Sequence, residues 1–499
     1  MAQGKTRKFL AFDLGAESGR AIVGCFDGKK VELEVLHRFP NQPVVVMSTT
    51  YWDVLRLFYE MKEGLSLCMQ KYGTKIASMA IDTWGVDFGL LGANDELLGN
   101  PIHYRDPHTE GMIEEAFKVI PRQELFRQTG NQFIRFNTLF QLMALARRGS
   151  SILDQAKTLL LMPNLFDFWF TGRKLTEYSI ASTTQMVDPR KRDWAFDLLR
   201  QFSINGDMLT EIVEPGTIVG KVMPSIMQEL GSEGADIPVV APASHDTGSA
   251  VAAVPSEDGD YVYISSGTWS LMGVEVREPI MNEKSLAHNF TNEGGFKRST
   301  RVLKNIAGLW LIQETRRQWS RQGEHVTFAE MEQEALASRP FAGLIDPDDP
   351  ALAAPGDIPE RIREICRRTG QVVPGSRGEI VRCIYESLAL KYRVVAEQIE
   401  KISGCRYPVI HVVGGGAKDE LLSRFTANAT GIKVIAGPAE GTALGNIAVQ
   451  LIASGAIASL RDARRNIAAS TDLKHYQPED TELWEAALIR YRQLFPDLV

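Results

Sequence analysis

Apolar positions along this chain alternate between two rhythms. Residues 9–38 read as three short strands. FLAFDL runs apolar into the turn GAESG, RAIVGCF follows, and after an Asp27-Gly28 turn VELEVLHRF alternates with period two. Residues 53–72 change to helical spacing, with Val54, Leu57, Met61, Leu65 and Cys68 on one face. IASMAIDTWGVDFGLL is a buried strand interrupted at Trp84-Gly85, and PIHYRDPHT (101–109) is a polar loop. Residues 137–149 and 151–170 read as two helices, with Asp167 a cap or edge residue of the second. The Ser/Thr-rich stretch 177–188 starts another helix, with its hydroxyls as caps.

The second half repeats the opening phrase. ADIPVVAPASHD is a strand running into a polar turn, and Ala250, Ala252 and Ala253 predict a tightly packed helix after it. DGDYVYISSGTWSLMGVEV then gives strand, glycine turn, strand, the pattern of FLAFDLGAESGRAIVG. A repeat at about half the chain length points to an internally duplicated fold. Residues 301–319 read as a helix, 346–360 as a Pro/Asp-rich surface loop and 379–403 as a long helix. YPVIHVVGGGAKDELLSRFTANATG is strand, triple glycine, helix. With the strand KVIAG and the helix PAEGTALGNIAVQLIAS it forms a βαβ arrangement, the mark of a parallel sheet in an α/β protein.

Totals narrow the partners. A chain of 499 residues is too long for one core and predicts two large domains. A net charge of -7, with acidic and basic residues interspersed, speaks against nucleic acid, whose phosphates demand a basic surface. No apolar run is long enough to span a membrane, and the start, MAQGKTRKFLAFDLG, does not read as a secretory leader. Five scattered cysteines without a Cys-x-x-Cys pair suit reduced thiols and a cytoplasmic location. The P-loop, the kinase H-R-D loop, the G-x-S-x-G elbow and the H-E-x-x-H zinc helix are all absent, so a nucleotide would have to be held in another way.

Several residues carry candidate chemistry, each with a plain structural alternative. Gly15 and Gly19 let backbone approach a ligand, and Asp13 at the strand end can hold a hydrated Mg²⁺; the same residues also make an ordinary capped hairpin. Trp84-Gly85 at a strand interruption suits a sugar, with the ring over an apolar sugar face and the glycine admitting a hydroxyl, or else a core Trp at a bulge. Asp246, in His245-Asp246-Thr247, is a catalytic base or a helix N-cap.

AFDLGAESGR, IDTWGVDFGLL, YRDPHT, ASHDTGSAV, YISSGTWSLMG, VLKNIAGLWLIQ and VVGGGAKDELL together resemble the FGGY family of carbohydrate kinases across essentially the whole chain. The resemblance implies two duplicated actin/hexokinase-like (ribonuclease H-like) ATPase domains around a central cleft. Residues 1–253 would be the N-terminal domain, mainly sugar-binding and bearing the first phosphate loop, and 254–499 the mainly ATP-binding C-terminal domain. A hinge would lie near Val254–Gly259.

IDTWGVDF, SSGTWSLMG and LKNIAGLWL point to a subgroup acting on L-rhamnulose at its 1-hydroxyl, in L-rhamnose breakdown. L-fuculose or L-xylulose is the alternative substrate, and a non-catalytic sugar or nucleotide sensor the alternative role. By the same resemblance Asp246 is the general base. Trp84, Gly85, Tyr104, His245, Asp246 and Thr247 would meet the sugar. Gly15, Ala16, Glu17, Ser18, Gly19, Thr268, Asn305, Gln313 and Gly415 would meet ATP, with Asp13 at Mg²⁺. The expected partners are a small sugar and ATP alone, in a monomer or homodimer.

Overall fold

The computed structural model describes residues 6–256 and 259–496. By contacts the chain forms two compact units. The first takes in Met1–Glu257, Glu275–Val302 and Gly441–Thr471; the second takes in Asp258–Val274, Leu303–Glu440 and Asp472–Val499. The units are discontinuous in sequence, because two later segments return to the first unit. Glu257 and Asp258, inside the expected hinge, lie outside the described residues.

The first unit is built on a sheet of β1 (Arg7–Leu14), β2 (Ser18–Phe26), β3 (Val31–Pro40), β4 (Ser78–Thr83), β5 (Ile218–Lys221) and β6 (Pro238–Val240), in the order β5-β6-β4-β1-β2-β3. β1 and β2, and β2 and β3, pair antiparallel, as the short turns dictate. β1 and β4 are parallel, joined through helix Val54–Tyr72, whose apolar face is buried and whose start is capped by Asp53. β4 and β6 are also parallel, and β5 closes the edge antiparallel to β6.

The second unit repeats this plan. β7 (Val262–Ser266), β8 (Trp269–Val276), β9 (Thr300–Ala307), β10 (Val409–Val413), β11 (Lys433–Ala436) and β12 (Lys474–Tyr476) run in the order β9-β8-β7-β10-β11-β12. β7 pairs antiparallel with β8 and parallel with β10, β10 parallel with β11, and β12 antiparallel with β11. These four pairings match their counterparts in the first sheet, and a seventh strand, Thr291–Gly294, is added beyond β9, so the duplication read from two similar hairpins extends to whole sheets.

Two expected helices are corrected. Residues 151–170 do not form one helix: a short helix Ser151–Gln155 gives way to a strand, Thr158–Leu161, paired with Phe88–Leu91, before helix Met162–Thr171 begins. The run LLLMPNLFDFWF is apolar apart from Asn164 and Asp167, so period cannot separate a buried strand from a buried helix, and Pro163 marks the true helix start. Asp167 is neither cap nor edge. It is buried inside that helix, with both carboxylate oxygens unpartnered, and burial raises its pKa well above the usual range. Likewise 301–319 is β9 up to Ala307, then Gly308, then helix Trp310–Arg321. Loop 101–109 is polar in composition but not in placement, since Tyr104, Asp106 and Thr109 are buried.

Helix Asp246–Ala252 packs on helix Gly441–Ala453 within the first unit. The approach is so close that a Cβ on Gly445 would lie 2.6 Å from the carbonyl carbon of Ser249. Among the described residues all five cysteines are free thiols, and no helix is long and apolar enough to cross a membrane.

Candidate active site

Parallel pairing of β1 and β4 sets Asp13 directly beside Asp82 at the ends of their strands. Asp13 also faces Arg20 on β2 and forms an ion pair with its guanidinium. Asp82 is fully buried. Its Oδ2 accepts from Asn446 Nδ2 at 2.6 Å, while Oδ1 has no hydrogen-bond partner. Burial first, and the neighbouring Asp13 carboxylate second, raise its pKa well above the usual range. Sequence reasoning named Asp13 and missed Asp82, Arg20 and Asn446. The signal for Asp82 was present, because MAI-Asp ends one apolar strand as LAF-Asp nearly ends another.

The turn after β1 is tied internally. Gly15 N–H donates to Ser18 O at 3.0 Å, and Asn41 holds the carbonyls of Gly15 and Glu17. One amide expected to face an anion is thus already used. Ala16 and Ser18 are half-buried, and Glu17 is exposed. Gly19 lies in β2, opposite Phe39, whose ring occupies the space a Cβ would need. Its lack of a side chain serves packing.

Thr83 bridges to His245, and Thr83 N–H donates to Ser244 O at 2.9 Å, so β4 delivers the turn Trp84-Gly85-Val86 to the start of helix Asp246–Ala252. A Cβ on Gly85 would meet Thr183 Oγ1 at 3.3 Å and His245 Nε2 at 3.4 Å. Asp246 opens the helix with its side chain 31% exposed, and its Oδ1 accepts from Thr247 N–H and, at 3.2 Å, from the Thr247 hydroxyl. His245 is buried, its Nε2 3.5 Å from Asp246 Oδ1. On its other side Nδ1 meets Arg301 Nη2 at 3.3 Å and Glu293 Oε2 at 3.1 Å, and Arg301 Nη2 lies 3.1 Å from the same Glu293 oxygen. Neither Glu293 nor Arg301 was expected, and both come from the segment that returns to this unit.

Behind Gly85 sits a buried hub. Asp87 Oδ2 accepts from Trp52 Nε1 (2.6 Å), Trp84 Nε1 (3.0 Å) and Tyr104 N–H (3.3 Å), and Oδ1 accepts from Gln141 Nε2 (2.9 Å). Burial pushes Asp87 up to about 7 against these donors. Trp84 meets Trp52 at a tilt, ring centroids 4.2 Å apart, and Tyr104 stacks on His103 at 4.7 Å. With its ring buried and its N–H taken, Trp84 supports the turn from the core. Between it and Asp87, Val86 holds φ 69°, strained for a β-branched residue and pinned by Thr183 Oγ1 on its N–H and Thr138 Oγ1 on its carbonyl.

In the second unit two turns converge on the β7–β8 hairpin. Gly267 O and Thr268 O accept from Leu309 N–H and Trp310 N–H, each at 3.1 Å. A Cβ on Gly308 would sit 2.6 Å from the Trp269 carbonyl carbon and 2.7 Å from Ser270 N. The glycine turn after β10 presses on the same hairpin: a Cβ on Gly416 would lie 2.6 Å from Ser266 Cβ, whereas one on Gly415 meets nothing within 4 Å. The crowded glycine is 416, and 415 stands open. Ser266 Oγ and Gln313 Oε1 are buried without partners. Asn305 lies half-buried on β9.

Geometry of this kind, paired carboxylates at strand ends and glycine turns on a duplicated sheet, belongs to a known class. Residues 8–253 and 262–454 match the N- and C-terminal domain models of the FGGY family of carbohydrate kinases, and the chain belongs to that family. Its fold is therefore a pair of duplicated actin/hexokinase-like domains. Within the family it is 45% identical over 486 residues to a rhamnulokinase of Bacteroides thetaiotaomicron, covering 97% of this chain and 99% of that one. It is 41% identical over 467 residues to a rhamnulokinase of Oceanobacillus iheyensis, covering 94% and 97%. Among solved structures, xylulose kinase from Lactobacillus acidophilus superposes with a TM-score of 0.80 at 18% identity, covering 98% and 96%. Plasmodium falciparum glycerol kinase with ADP superposes with 0.77 at 16%, covering 99% of each chain. These two show the fold alone.

Proposed function

We propose that this chain phosphorylates L-rhamnulose at the 1-hydroxyl with ATP, giving L-rhamnulose 1-phosphate and ADP, in L-rhamnose breakdown. The sugar is supported by the near-full-length similarity to rhamnulokinases. The single observation that carries the chemistry is Asp246, a part-exposed carboxylate at a helix start between His245 and Thr247, with Gly85 against the imidazole.

Phosphoryl transfer asks for position and charge neutralisation more than covalent help. Asp246 orients the attacking hydroxyl and takes its proton as the new P–O bond forms. His245 and the Gly85 turn hold neighbouring sugar oxygens, and the rigid hub behind Gly85 keeps that turn in place. Arg20 and the amides of residues 16–18 offer positive charge to phosphate oxygens from the first unit. In the second unit the Ser266–Thr268 turn, the open Gly415 and the unpartnered Gln313 Oε1 suit a nucleotide, since a glycine with nothing against it leaves backbone accessible and an orphan polar atom awaits a partner.

Mg²⁺ fits Asp13 and Asp82, hard oxygen donors of which one is orphaned, and when bound it would offset phosphate charge.

The test is ADP release with and without L-rhamnulose, then with L-fuculose and L-xylulose. Strong stimulation by L-rhamnulose above the other two is expected, and Asp246→Asn should remove most turnover while leaving nucleotide binding. Near-normal turnover in that variant, or no stimulation by any ketose, overturns the reading.

A further inference from the structure

The tautomer of His245 is decided by groups that the sequence scatters over more than fifty positions. Arg301 is fully buried, its Nε donating to Gly294 O at 2.8 Å and its Nη2 reaching His245 Nδ1 at 3.3 Å. A guanidinium only donates and a carboxylate only accepts, so the two groups around Nδ1 make opposite demands. Glu293 Oε2, at 3.1 Å, would favour a proton on Nδ1; Arg301 requires a lone pair there.

Geometry separates them. The Arg301 N–H points at Nδ1, whereas Glu293 Oε2 receives no aligned hydrogen bond from the imidazole. The far side of the ring votes the same way. Nε2 lies 3.5 Å from Asp246 Oδ1, and a proton there meets a carboxylate, where a lone pair would be repelled by it. Glu293, beside Arg301 at 3.1 Å, then serves to compensate a guanidinium that has no access to water.

We propose that Arg301 is a positioning residue that fixes the proton of His245 on Nε2, making His245 a hydrogen-bond donor to a sugar oxygen beside Asp246. The donor role rests on the sugar-kinase reading above; the tautomer does not. Asp246 accepts a proton and His245 supplies one, so adjacent residues recognise a hydroxyl hydrogen and an oxygen lone pair respectively. A sugar is then selected by whether it places an oxygen at His245 while its attacking hydroxyl meets Asp246.

¹⁵N spectra of histidine-labelled protein at pH 8, with His245 assigned by loss of its signals in His245→Asn, read the tautomer directly. Wild type is expected to show Nε2 protonated and Nδ1 as the bare nitrogen. A proton on Nδ1 overturns the proposal. Arg301→Gln should shift the ring toward the Nδ1-protonated form. It should also raise the KM for L-rhamnulose at least about tenfold, the worth of one buried hydrogen bond, with the KM for ATP within about twofold. A shifted tautomer with an unchanged sugar KM refutes the donor role. The wild-type spectrum decides the tautomer even if Arg301→Gln does not fold. If the wild-type enzyme ignores L-rhamnulose, the substrate reading fails while the spectrum still stands or falls by itself.

Discussion

Gly308→Ala is the sharpest probe of the second unit. The residue lies between β9 and helix Trp310–Arg321, where the chain passes over the β7–β8 hairpin. An added methyl would fall 2.6 Å from one backbone atom of that hairpin and 2.7 Å from the next. Carbon contacts relax only near 3.5–4.0 Å, so the helix start must lift by about 1 Å. The atoms in the way are backbone, and no rotamer change can clear them. Lifting stretches the bonds from Leu309 and Trp310 N–H to Gly267 and Thr268 O, each about 1 kcal/mol, and overpacking adds about 1–3 kcal/mol. Replacing glycine restricts the unfolded chain and returns at most about 1 kcal/mol. The net loss is about 2–4 kcal/mol.

The Ser266–Thr268 turn moves with the contact, and a 1 Å misplacement near reacting groups can cost about a hundredfold in rate. Thermal unfolding and ADP-coupled kinetics on Gly308→Ala should therefore show a lowered Tm, a raised KM for ATP and a kcat reduced by one to two orders of magnitude. Wild-type kcat and KM for ATP, with an unchanged Tm, would show that the turn does not depend on this contact.

Two further tests follow. Gly416→Ala drives a methyl into Ser266 and should raise the KM for ATP strongly, whereas Gly415→Ala enters open space and should change the fold's stability little, so equal losses of Tm in the two variants would contradict the assigned crowding. Burial first, then the charge of Arg105, lowers the pKa of His103 to about 3, while its Nδ1 accepts from Arg105 N–H at 2.9 Å. The neutral ring thus contributes stability that is fully present above about pH 6.5 and lost as pH falls toward 3. At pH 5 the loss is about 2 kcal/mol. His103→Asn keeps an acceptor for that N–H and should flatten the decline between pH 7 and 5 in urea unfolding, and an identical slope in both proteins would refute it.

Much of this organisation was legible from pattern. Both β-hairpins, helix Val54–Tyr72 and helix Arg377–Ser403 announce themselves by period, turns and caps. What failed was the assignment of Thr158–Leu161, within an apolar run, and of Thr300–Ala307, where Arg301, Lys304 and Asn305 interrupt the apolar positions; at both the period is ambiguous and only the partner strand decides. The candidate site divides in the same way. Asp246 and His245 sit together in a short polar motif, so they could be named. Glu293, Arg301 and Asn446 reach the site from distant segments and look like ordinary polar residues where they stand. Gly19 and Gly416 show the limit of reading glycines, because nothing local tells a glycine that admits a ligand from one that admits Phe39 or Ser266.

The return of Glu275–Val302 and Gly441–Thr471 to the first unit bears on biosynthesis. A ribosome finishes β1 to β6 and Asp246 early, but the groups that hold His245 and Asp82 emerge later. At typical elongation rates of about 5–20 residues per second, the wait for Asn446 and its helix is on the order of ten to forty seconds. Until then Asp82 lacks its amide partner and helix Asp246–Ala252 has nothing against its small-residue face. The first unit is thus completed only when its own later segments are made, and a chain ending before Gly441 lacks the partners of Asp82 and of helix Asp246–Ala252.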